Sequence, residues 1–545
     1  MSGRDQGLSM LVDSAGNPFK SDTLLRARTA HDAASKVSSE LSSWRAPSLS
    51  ADGELLGELE TLRDRTRDMI RNHGLMSGAV QTHLDNVIGA GWRLNAKPDW
   101  RELGITDVDV RSEWEQSTEA LWRRYAEDID CNVDATRRTN FAGIMAQAYR
   151  SYLTSFEILA TAEWVEDPYY YNTRIQMLDP ARLSNPNSVP DNDRLRAGVA
   201  KDALGAPIAY WISTENEAAF ASFSGTKTWK RIPRATAWGR TQVIHIFDSD
   251  RIGATRGKGS IVSALLKGKM VDKWDKAHLE ASILNAMYAA VIESSLDWQA
   301  TAAAIGAGVS ETDPTLTYMD NRAEFHKDAT IRFNGVKIPH LFPGEQLKLT
   351  APQHPNAAFE KFHQFADRYM AAAWNLTYEQ YSRDYSQTNY SSGRAALLEV
   401  WKFFNGRQQF IAGPFARQGY SLWLEEAIDN GDVKLPAGAP DFYAAKNAWT
   451  RCRWIGPGRG SLDPEKDNNA KKLAYGMYQT SLEEMASEEG RDWRDTIDQR
   501  AVEKAYMIKM GVDPQPLQDS ALNTKPSTPG KDKPVNRGTS DDQPE

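Results

Sequence analysis

Cysteine is nearly absent from the sequence. The 545 residues include two, Cys131 and Cys452, with no C-x-x-C pair. Isolated thiols build neither a disulfide framework nor a zinc site of the usual spacing, and they favour assembly inside a cell. Asp248 and Asp250 could form a metal pair, but no third acidic residue follows at a suitable offset and a turn explains them as well. We therefore expect no metal and no cofactor.

Long apolar runs are also absent. The least polar stretch, ILNAMYAAVI (283–292), has about half the length of a membrane-spanning helix. The N-terminal stretch MSGRDQGLSMLVDSAGNPF contains no apolar run long enough for a signal peptide. We expect a soluble protein that works outside membranes.

Positive charge is in deficit, with 65 Lys and Arg against 73 Asp and Glu and a net charge of −8. Such a chain is poorly suited to wrapping nucleic acid, because neutralising phosphates requires a basic surface. It remains compatible with a protein past which DNA slides without being held.

The sequence contains no complete catalytic motif. The stretch DRIGATRGKGS (250–260) comes nearest, because it is similar to a phosphate-binding loop. However, Gly253 lies one residue too close to Gly257 and Lys258, and Gly259 stands where the loop needs a hydroxyl. No G-x-S-x-G elbow is present either. The sequence predicts a protein that is not an enzyme.

The patterns that are present predict an α+β fold. Amphipathic helices are expected from about residue 57, and short β-rich segments separated by Asn, Pro and Gly occupy about 156–247. Residues 1–56 are rich in Ser, Ala and Asp, and residues 513–545 contain six prolines and no aromatic residue. Both terminal segments are therefore predicted to be disordered.

A long helix is predicted to begin near Ser260. Apolar residues recur along it at alternating spacings of four and three, which places them on one face. Lysine and aspartate on the other faces keep those faces solvated, so the apolar face needs partner helices. The residues of this predicted seam are Met270, Trp274, Ala277, Ala281, Leu284, Tyr288 and Val291.

A tyrosine-rich stretch separates two further helices. The first is predicted over about 356–375, and the second from about Ser391 until Gly413-Pro414 interrupts it. Aromatic rings interleaved with cations can contact nucleic acid by stacking and charge. Alternatively, the stretch connects two helices and its tyrosines pack on neighbouring helices. The candidate residues are Tyr378, Tyr381, Arg383, Tyr385 and Tyr390.

Five stretches then carry a family resemblance. They are RNHGLMSGAVQTHLDNVIGAGWRL (71–94), RIQMLDPARLSNP (174–186), VIHIFDSDRIGATRGKGSIVSALL (243–266), TNYSSGRAALLEVWKFF (388–404) and WIGPGRGSLDPEKD (454–467). In this order, across about 57–510, the chain resembles the lambda-type portal proteins of tailed double-stranded DNA phages.

The resemblance implies a function in the virion. Portal proteins of this type form a ring, usually of twelve copies, at one vertex of the capsid. The terminase motor pumps DNA in through the channel, and the genome later leaves by it. The implied partners are therefore further copies of the chain, double-stranded DNA, the terminase large subunit, the major capsid or scaffold protein and a head-tail adaptor protein.

The family architecture implies a division of this sequence. The glycine-rich stretch at 250–260 would carry the chain from a wing strand into the first stem helix, and the tyrosine-rich stretch would face DNA. The implied segments are a wing (57–258 and part of 391–460), two stem helices (259–296 and 356–375), a clip (297–355), a tunnel loop (376–390) and a helical crown (461–512).

Two other functional classes remain open at this point. A DNA-packaging enzyme would need a phosphate loop or a three-carboxylate metal site. Another structural phage protein, such as a capsid or tail-adaptor subunit, would not need two long helices that flank an insertion of about 60 residues. A channelled ring in electron micrographs would separate the three classes.

Overall fold

A computed structural model describes residues 41, 43–214, 228–288, 324, 330–333, 336–339, 359–460 and 463–512. Helices and small antiparallel sheets are mixed within these ranges, so the predicted α+β class is confirmed. Residues 1–40, most of the predicted clip and the tail from residue 513 lie outside the described residues.

The first three helices are α1 (Ala51–Leu55), α2 (Leu59–Asn72) and α3 (Gly74–Val87). Helix α1 lies within residues 1–56, the segment that the sequence predicts to be a disordered arm. Ser50 caps this helix by accepting a hydrogen bond from the Gly53 amide at 3.1 Å. The chain leaves α3 through Gly89, whose φ of +61° is the left-handed conformation expected after a helix.

A short strand and two helices follow: β1 (Arg93–Ala96), α4 (Val108–Ala126) and α5 (Phe141–Ser155). Helix α5 is capped by Asn140, which accepts from the Gly143 amide at 3.0 Å. Phe156, just after α5, has a φ of +74°, an uncommon value for a bulky residue.

Seven strands form two antiparallel sheets in the region predicted to be β-rich. They are β2 (Glu157–Trp164), β3 (Thr173–Leu178), β4 (Leu195–Arg196), β5 (Val199–Lys201), β6 (Pro207–Thr214), β7 (Thr228–Pro233) and β8 (Val243–Phe247). The sheet orders are β3-β2-β8 and β4-β5-β6-β7. Leu159 of β2 lies opposite Leu178 of β3 and His245 of β8, which fixes the register of the first sheet.

The chain then enters its longest described helix. A 3-10 turn (Ser260–Ala264) leads into α6 (Leu265–Tyr288), so the helical segment begins at the predicted residue. The next elements are a hairpin of β9 (Thr330–Phe333) and β10 (Val336–Pro339), helix α7 (Phe359–Ala373) and the short helix α8 (Tyr378–Ser382).

Two helices run almost continuously across the predicted interruption. Helix α9 (Tyr390–Arg407) passes through a π turn (Gln408–Ala412) into α10 (Gly413–Asp429). The Gly413 amide bonds the carbonyl of Gln408, five residues back. This wider turn accommodates Pro414, which has no N–H to donate, without ending the helix. The N-cap of α9 is Asn389, which accepts a hydrogen bond from the Ser392 amide at 2.9 Å.

The last described elements are α11 (Lys446–Trp449), β11 (Cys452–Ile455), α12 (Pro464–Gly476), α13 (Leu482–Glu488) and α14 (Trp493–Lys509). Strand β11 pairs with β1, far away in sequence. The main core lies between these segments and is rich in aromatic rings that meet edge to face, among them Trp122, Phe141, Tyr420, Trp423 and Trp454.

Candidate functional site

The glycine-rich loop (residues 250–260) binds a carboxylate of its own chain. The guanidinium of the buried Arg256 donates from Nε to both oxygens of Glu157, at 2.8 and 2.9 Å. The Gly257 amide donates to the same carboxylate at 2.7 Å. The remaining Arg256 bonds, each 2.9 Å, go to the carbonyls of Pro180, Leu183 and Ala197. This loop therefore serves as a structural joint between β8 and the start of α6, and the anion that it binds is the Glu157 carboxylate of the same chain.

The electrostatics of this joint favour the ion pair. Glu157 is fully buried. Burial by itself raises the pKa of Glu157, but the attraction of Arg256, aided by His245 and hydrogen bonds, outweighs it and lowers the pKa to about 2. Both charges are thus held out of water, with each of them satisfied by the other.

Close packing explains the glycines of the loop. A Cβ at Gly257 would lie 2.5 Å from the Phe156 carbonyl oxygen, and a Cβ at Gly259 would lie 2.4 Å from the Phe156 ring. Both distances are far below van der Waals contact. Only glycine therefore fits where the loop crosses the start of β2.

A second carboxylate ties α1 to the same loop. Asp52 is buried and accepts from the Thr255 amide at 2.7 Å and from the Thr255 hydroxyl at 2.6 Å. Arg196 donates to it at 2.9 Å, and Lys201 lies 3.6 Å away. The start of α6 is thus fixed by contacts from both sheets and from α1.

Helix α6 packs on the body of the chain through one face only. Gly268 and Val271 are buried, and a Cβ at Gly268 would lie 3.0 Å from the terminal methyls of Met69 and Met370. Helices α2, α6 and α7 therefore approach one another closely at Gly268. The start of α6 is clamped between these helices.

The predicted seam points away from this packed face. Met270 is 64% exposed and Ala277 is exposed, while Leu266, one turn before, is 76% exposed and extends the apolar surface. Trp274 lies at the edge of the seam, with its ring 4.8 Å from that of Phe362 on α7. Ala281 is half-buried. The side chains of Leu284 and Tyr288, and the whole of Val291, lie outside the described residues.

A histidine joins α6 to α7. His363 Nδ1 lies 2.9 Å from Asp367 and its Nε2 lies 3.3 Å from Asp275 of α6. Burial lowers the pKa of His363, but the two carboxylates outweigh burial and the net effect raises it. The protonated imidazolium is therefore the form that holds the two helices together.

Two of the predicted DNA-facing tyrosines pack inside the chain. Tyr381 is 1% exposed, and burial raises its pKa. Tyr378 is half-buried and lies under the guanidinium of Arg368, 5.3 Å from the ring centre. In this arrangement the Tyr381 side chain lies inside the chain and not on its surface. Both residues fit the alternative that the tyrosines pack on neighbouring helices.

The second half of the tyrosine segment (residues 376–390) is more open. Tyr385 is 59% exposed. Arg383 is exposed, has a φ of +62° and donates to the Thr82 hydroxyl of α3 at 2.8 Å. The backbone of Tyr390 starts α9, and its side chain lies outside the described residues. Among the candidates whose side chains the structure describes, Arg383 and Tyr385 are the exposed ones.

No metal or membrane signal emerges from the part of the chain that the structure describes. Within it, no group of three or more His, Cys, Asp or Glu side chains is arranged to hold a metal ion, and no helix has the length and apolarity to cross a membrane. The suspected metal pair is used otherwise: Asp248 pairs with Arg407, and Asp250 accepts from Lys258 at 2.5 Å.

Comparison with known proteins identifies the family. The model of the phage portal proteins, lambda family, matches residues 38–408. The portal protein of Escherichia phage N15 is 34% identical over 93% of this chain and 95% of that protein. Portal protein B of Escherichia phage lambda is 34% identical over 89% of this chain and 91% of that protein.

The chain belongs to the lambda family of phage portal proteins. This assignment confirms the resemblance and places the chain in a structural family and not in an enzyme class. Two solved structures are more distant. A chain of the native gene transfer agent virion has a TM-score of 0.37 at 12% identity, over 80% of this chain and 95% of that one. A chain of the native gene transfer agent neck has a TM-score of 0.34, also at 12% identity, over 67% of this chain and 81% of that one.

Sequence reasoning missed the residues on which this portal chain's central joint depends. Glu157 was taken as one residue of a strand, and Asp52 as part of the arm. A charged residue at the start of an otherwise apolar strand, FEILATA, was the available signal for Glu157. Nothing in the local sequence pointed to Asp52.

Proposed function

We propose that this portal protein forms a closed ring through the apolar seam of α6, and that double-stranded DNA enters and leaves the capsid through the ring. In this proposal α6 and α7 are the stem helices. The family assignment supports the general function, and necks of gene transfer agent particles have been computed with C12 or with C6 symmetry.

The observation that carries the ring proposal is the exposure of the seam. Leu266 and Met270 leave most of their surface in water, although Gly268 and Val271 on the opposite side are buried. Large apolar side chains clustered on a helix mark a contact surface. A head-to-tail contact of this kind closes a ring when the rotation between copies allows it.

The test is a substitution that cannot act through the chain's own core. Met270→Glu adds a charge at a position that is exposed in the single chain, so the chain should fold normally and fail to assemble. Met270→Leu keeps the apolar contact and is the matched control. Native mass spectrometry and negative-stain images should show wild type and Met270→Leu near twelve times the 60.9 kDa chain mass. Normal rings of Met270→Glu would remove this face from the subunit contact.

The DNA path is proposed to pass the open half of the tyrosine segment. Arg383 and Tyr385 offer a cation and an aromatic ring, which together suit transient contact with DNA. Tyr381 would contribute only if the segment moved. We expect Arg383→Ala with Tyr385→Ala to assemble as wild type and to package or retain less DNA. A full genome in particles carrying this double variant would refute the assignment.

The remaining partners follow from the proposed position at the capsid vertex. The implied wing and crown would face the capsid interior, and the clip would meet the terminase large subunit during packaging and the head-tail adaptor afterwards. A scaffold or major capsid protein would bring the ring into the shell, which assembles in the host cytoplasm. Co-purification of each partner with the assembled ring, but not with Met270→Glu, would test whether ring formation precedes these contacts.

A further inference from the structure

A wide groove opens beside the two-stranded sheet of β1 and β11. Its volume is about 870 Å³, which lies within the range typical of ligand-binding clefts. It is bounded by β11, by the π turn, by the first half of α10 and by α11. The groove is distinct from the seam of α6 and from the tyrosine segment, because none of their residues lines it.

The groove is positively charged although the chain is acidic. Arg417, Lys446 and Arg453 line it, and no aspartate or glutamate is among its lining residues. Arg453 lies 3.7 Å from Glu483 outside the lining, Lys446 donates to the Gly239 carbonyl at 2.8 Å, and Arg417 donates to the Asn447 carbonyl at 3.3 Å. Five amide side chains complete the polar wall: Asn405, Gln408, Gln409, Gln418 and Asn447.

One wall of the groove is an open strand edge. The Lys97 amide donates to the Arg451 carbonyl at 3.2 Å, so residues at this register face each other as a hydrogen-bonded pair. The alternation of an antiparallel ladder then turns the peptide groups of Cys452 and Trp454 away from β1. The Ala96 amide, opposite Cys452, confirms this alternation, because it points away from β11 and donates to Glu119 at 2.8 Å.

Cys452 and Trp454 both line the groove. Arg453, whose side chain lies on the other face of the strand, lines it as well, so the groove borders the outer edge of β11, with which no strand within the described ranges pairs. Unpaired donors and acceptors at regular spacing are a template for an added strand. The adjoining π turn adds a second indication, since such turns are frequent at functional sites.

We propose that this groove binds an extended acidic peptide segment of another protein, which adds to β11 as a third strand. Backbone hydrogen bonds to Cys452 and Trp454 would set the register, as in other cases of strand addition. Carboxylates of the segment would face Arg417 and Lys446, and the amide side chains would bond its remaining peptide groups. The positive lining favours an acidic partner over a neutral or basic one.

The test uses the full-length ring and a defined probe. The probe is a fluorescent peptide of about ten residues in which glutamate and threonine alternate, followed by anisotropy. Controls are the same peptide with alternate N-methylated residues, a lysine-threonine peptide and a short DNA duplex. We expect the acidic peptide alone to bind, and N-methylation to weaken it by about tenfold or more because strand pairing is lost.

A matched pair of variants locates the site. Arg417→Glu with Lys446→Gln changes the groove, and Arg101→Glu with Lys230→Gln makes the same changes at exposed positions elsewhere. Equal melting temperatures establish that both variants are folded. We expect the groove variant alone to lose binding by about tenfold or more.

Four results would overturn the proposal: equal binding of the N-methylated peptide, stronger binding of the DNA duplex, an equal loss in both variants, or binding by dissociated subunits but not by the ring. The last would show that a second copy of this chain covers the groove. Because ring formation is measured separately on the same sample, failure of the proposed ring and failure of the groove are distinguishable.

Discussion

The buried pair between Arg256 and Glu157 allows a quantitative prediction about the joint between sheet and stem. Replacing Arg256 with Met takes the guanidinium away from the fully buried Glu157 carboxylate, which keeps only the Gly257 amide and His245 Nε2, 3.4 Å away, among its described polar neighbours. Breaking one side of a buried ion pair costs roughly 3–5 kcal/mol, because the remaining charge is desolvated and uncompensated. Glu157→Gln should cost a similar amount, since it strands the guanidinium instead.

The pH dependence of the wild type gives an independent estimate. The pKa of Glu157 is lowered from 4.5 to about 2. A depressed pKa contributes stability that is present above the unfolded value and is lost as the pH falls. The difference corresponds to about 3 kcal/mol, which should disappear between about pH 4.5 and pH 2. The Arg256→Met variant should lack this pH-dependent stability even at neutral pH.

The assay compares the two single variants with the double variant Arg256→Met, Glu157→Gln. Melting temperatures give overall stability, and hydrogen exchange of the β2 amides gives the local free energy of opening. The stability losses of the two single variants should add up to more than the loss in the double variant, because removing both charges leaves neither of them unpaired. Strictly additive losses, or single losses below about 1 kcal/mol, would refute the reasoning that the pair is a mutually dependent unit.

Three further outcomes are expected. Gly259→Ala should destabilise the chain by about 1–3 kcal/mol, because its Cβ would lie 2.4 Å from the Phe156 ring, whereas Gly57→Ala, with open space around it, should have little effect in the same melting experiment. Tyr381→Phe should be neutral or slightly stabilising, since the buried hydroxyl has no hydrogen-bond partner among the described residues; a clear loss of stability would show a hidden partner. The raised pKa of His363 contributes stability that is present below pH 6.5 and is lost as the pH rises through the folded value, so His363→Gln should reduce the fall in melting temperature between about pH 6 and pH 9.

The sequence was sufficient wherever a local pattern decides the structure. Short β-rich segments separated by Asn, Pro and Gly predicted the strands between about residues 156 and 247, because each strand depends on neighbours within a few positions. The break expected at Pro414 did not occur. A π turn accommodates the proline ring and its missing N–H, as a kink would. The presence of a proline does not indicate which of the two the surrounding packing will select.

Long-range partners could not be predicted in the same way. Strands β1 and β11 pair although most of the chain lies between them in sequence, and no local pattern specifies this pairing. The tyrosine segment shows the same limit within a candidate site. The alternation of tyrosine and arginine is expected both for a DNA contact and for a connection between two helices. For Tyr381, its burial favours the second interpretation.

The joint at Arg256 bears on how the proposed ring could work. The chain enters α6 through two glycines packed against Phe156, with Arg256 and Thr255 bound by carboxylates from β2 and α1. A connection with so many buried polar contacts resists bending, since each broken contact leaves a buried group unsatisfied. In the proposed ring, the seam of α6 would therefore meet neighbouring copies at an orientation fixed by the sheets. A change that loosened the joint, such as Arg256→Met, should consequently reduce ring yield although no residue of the seam is altered.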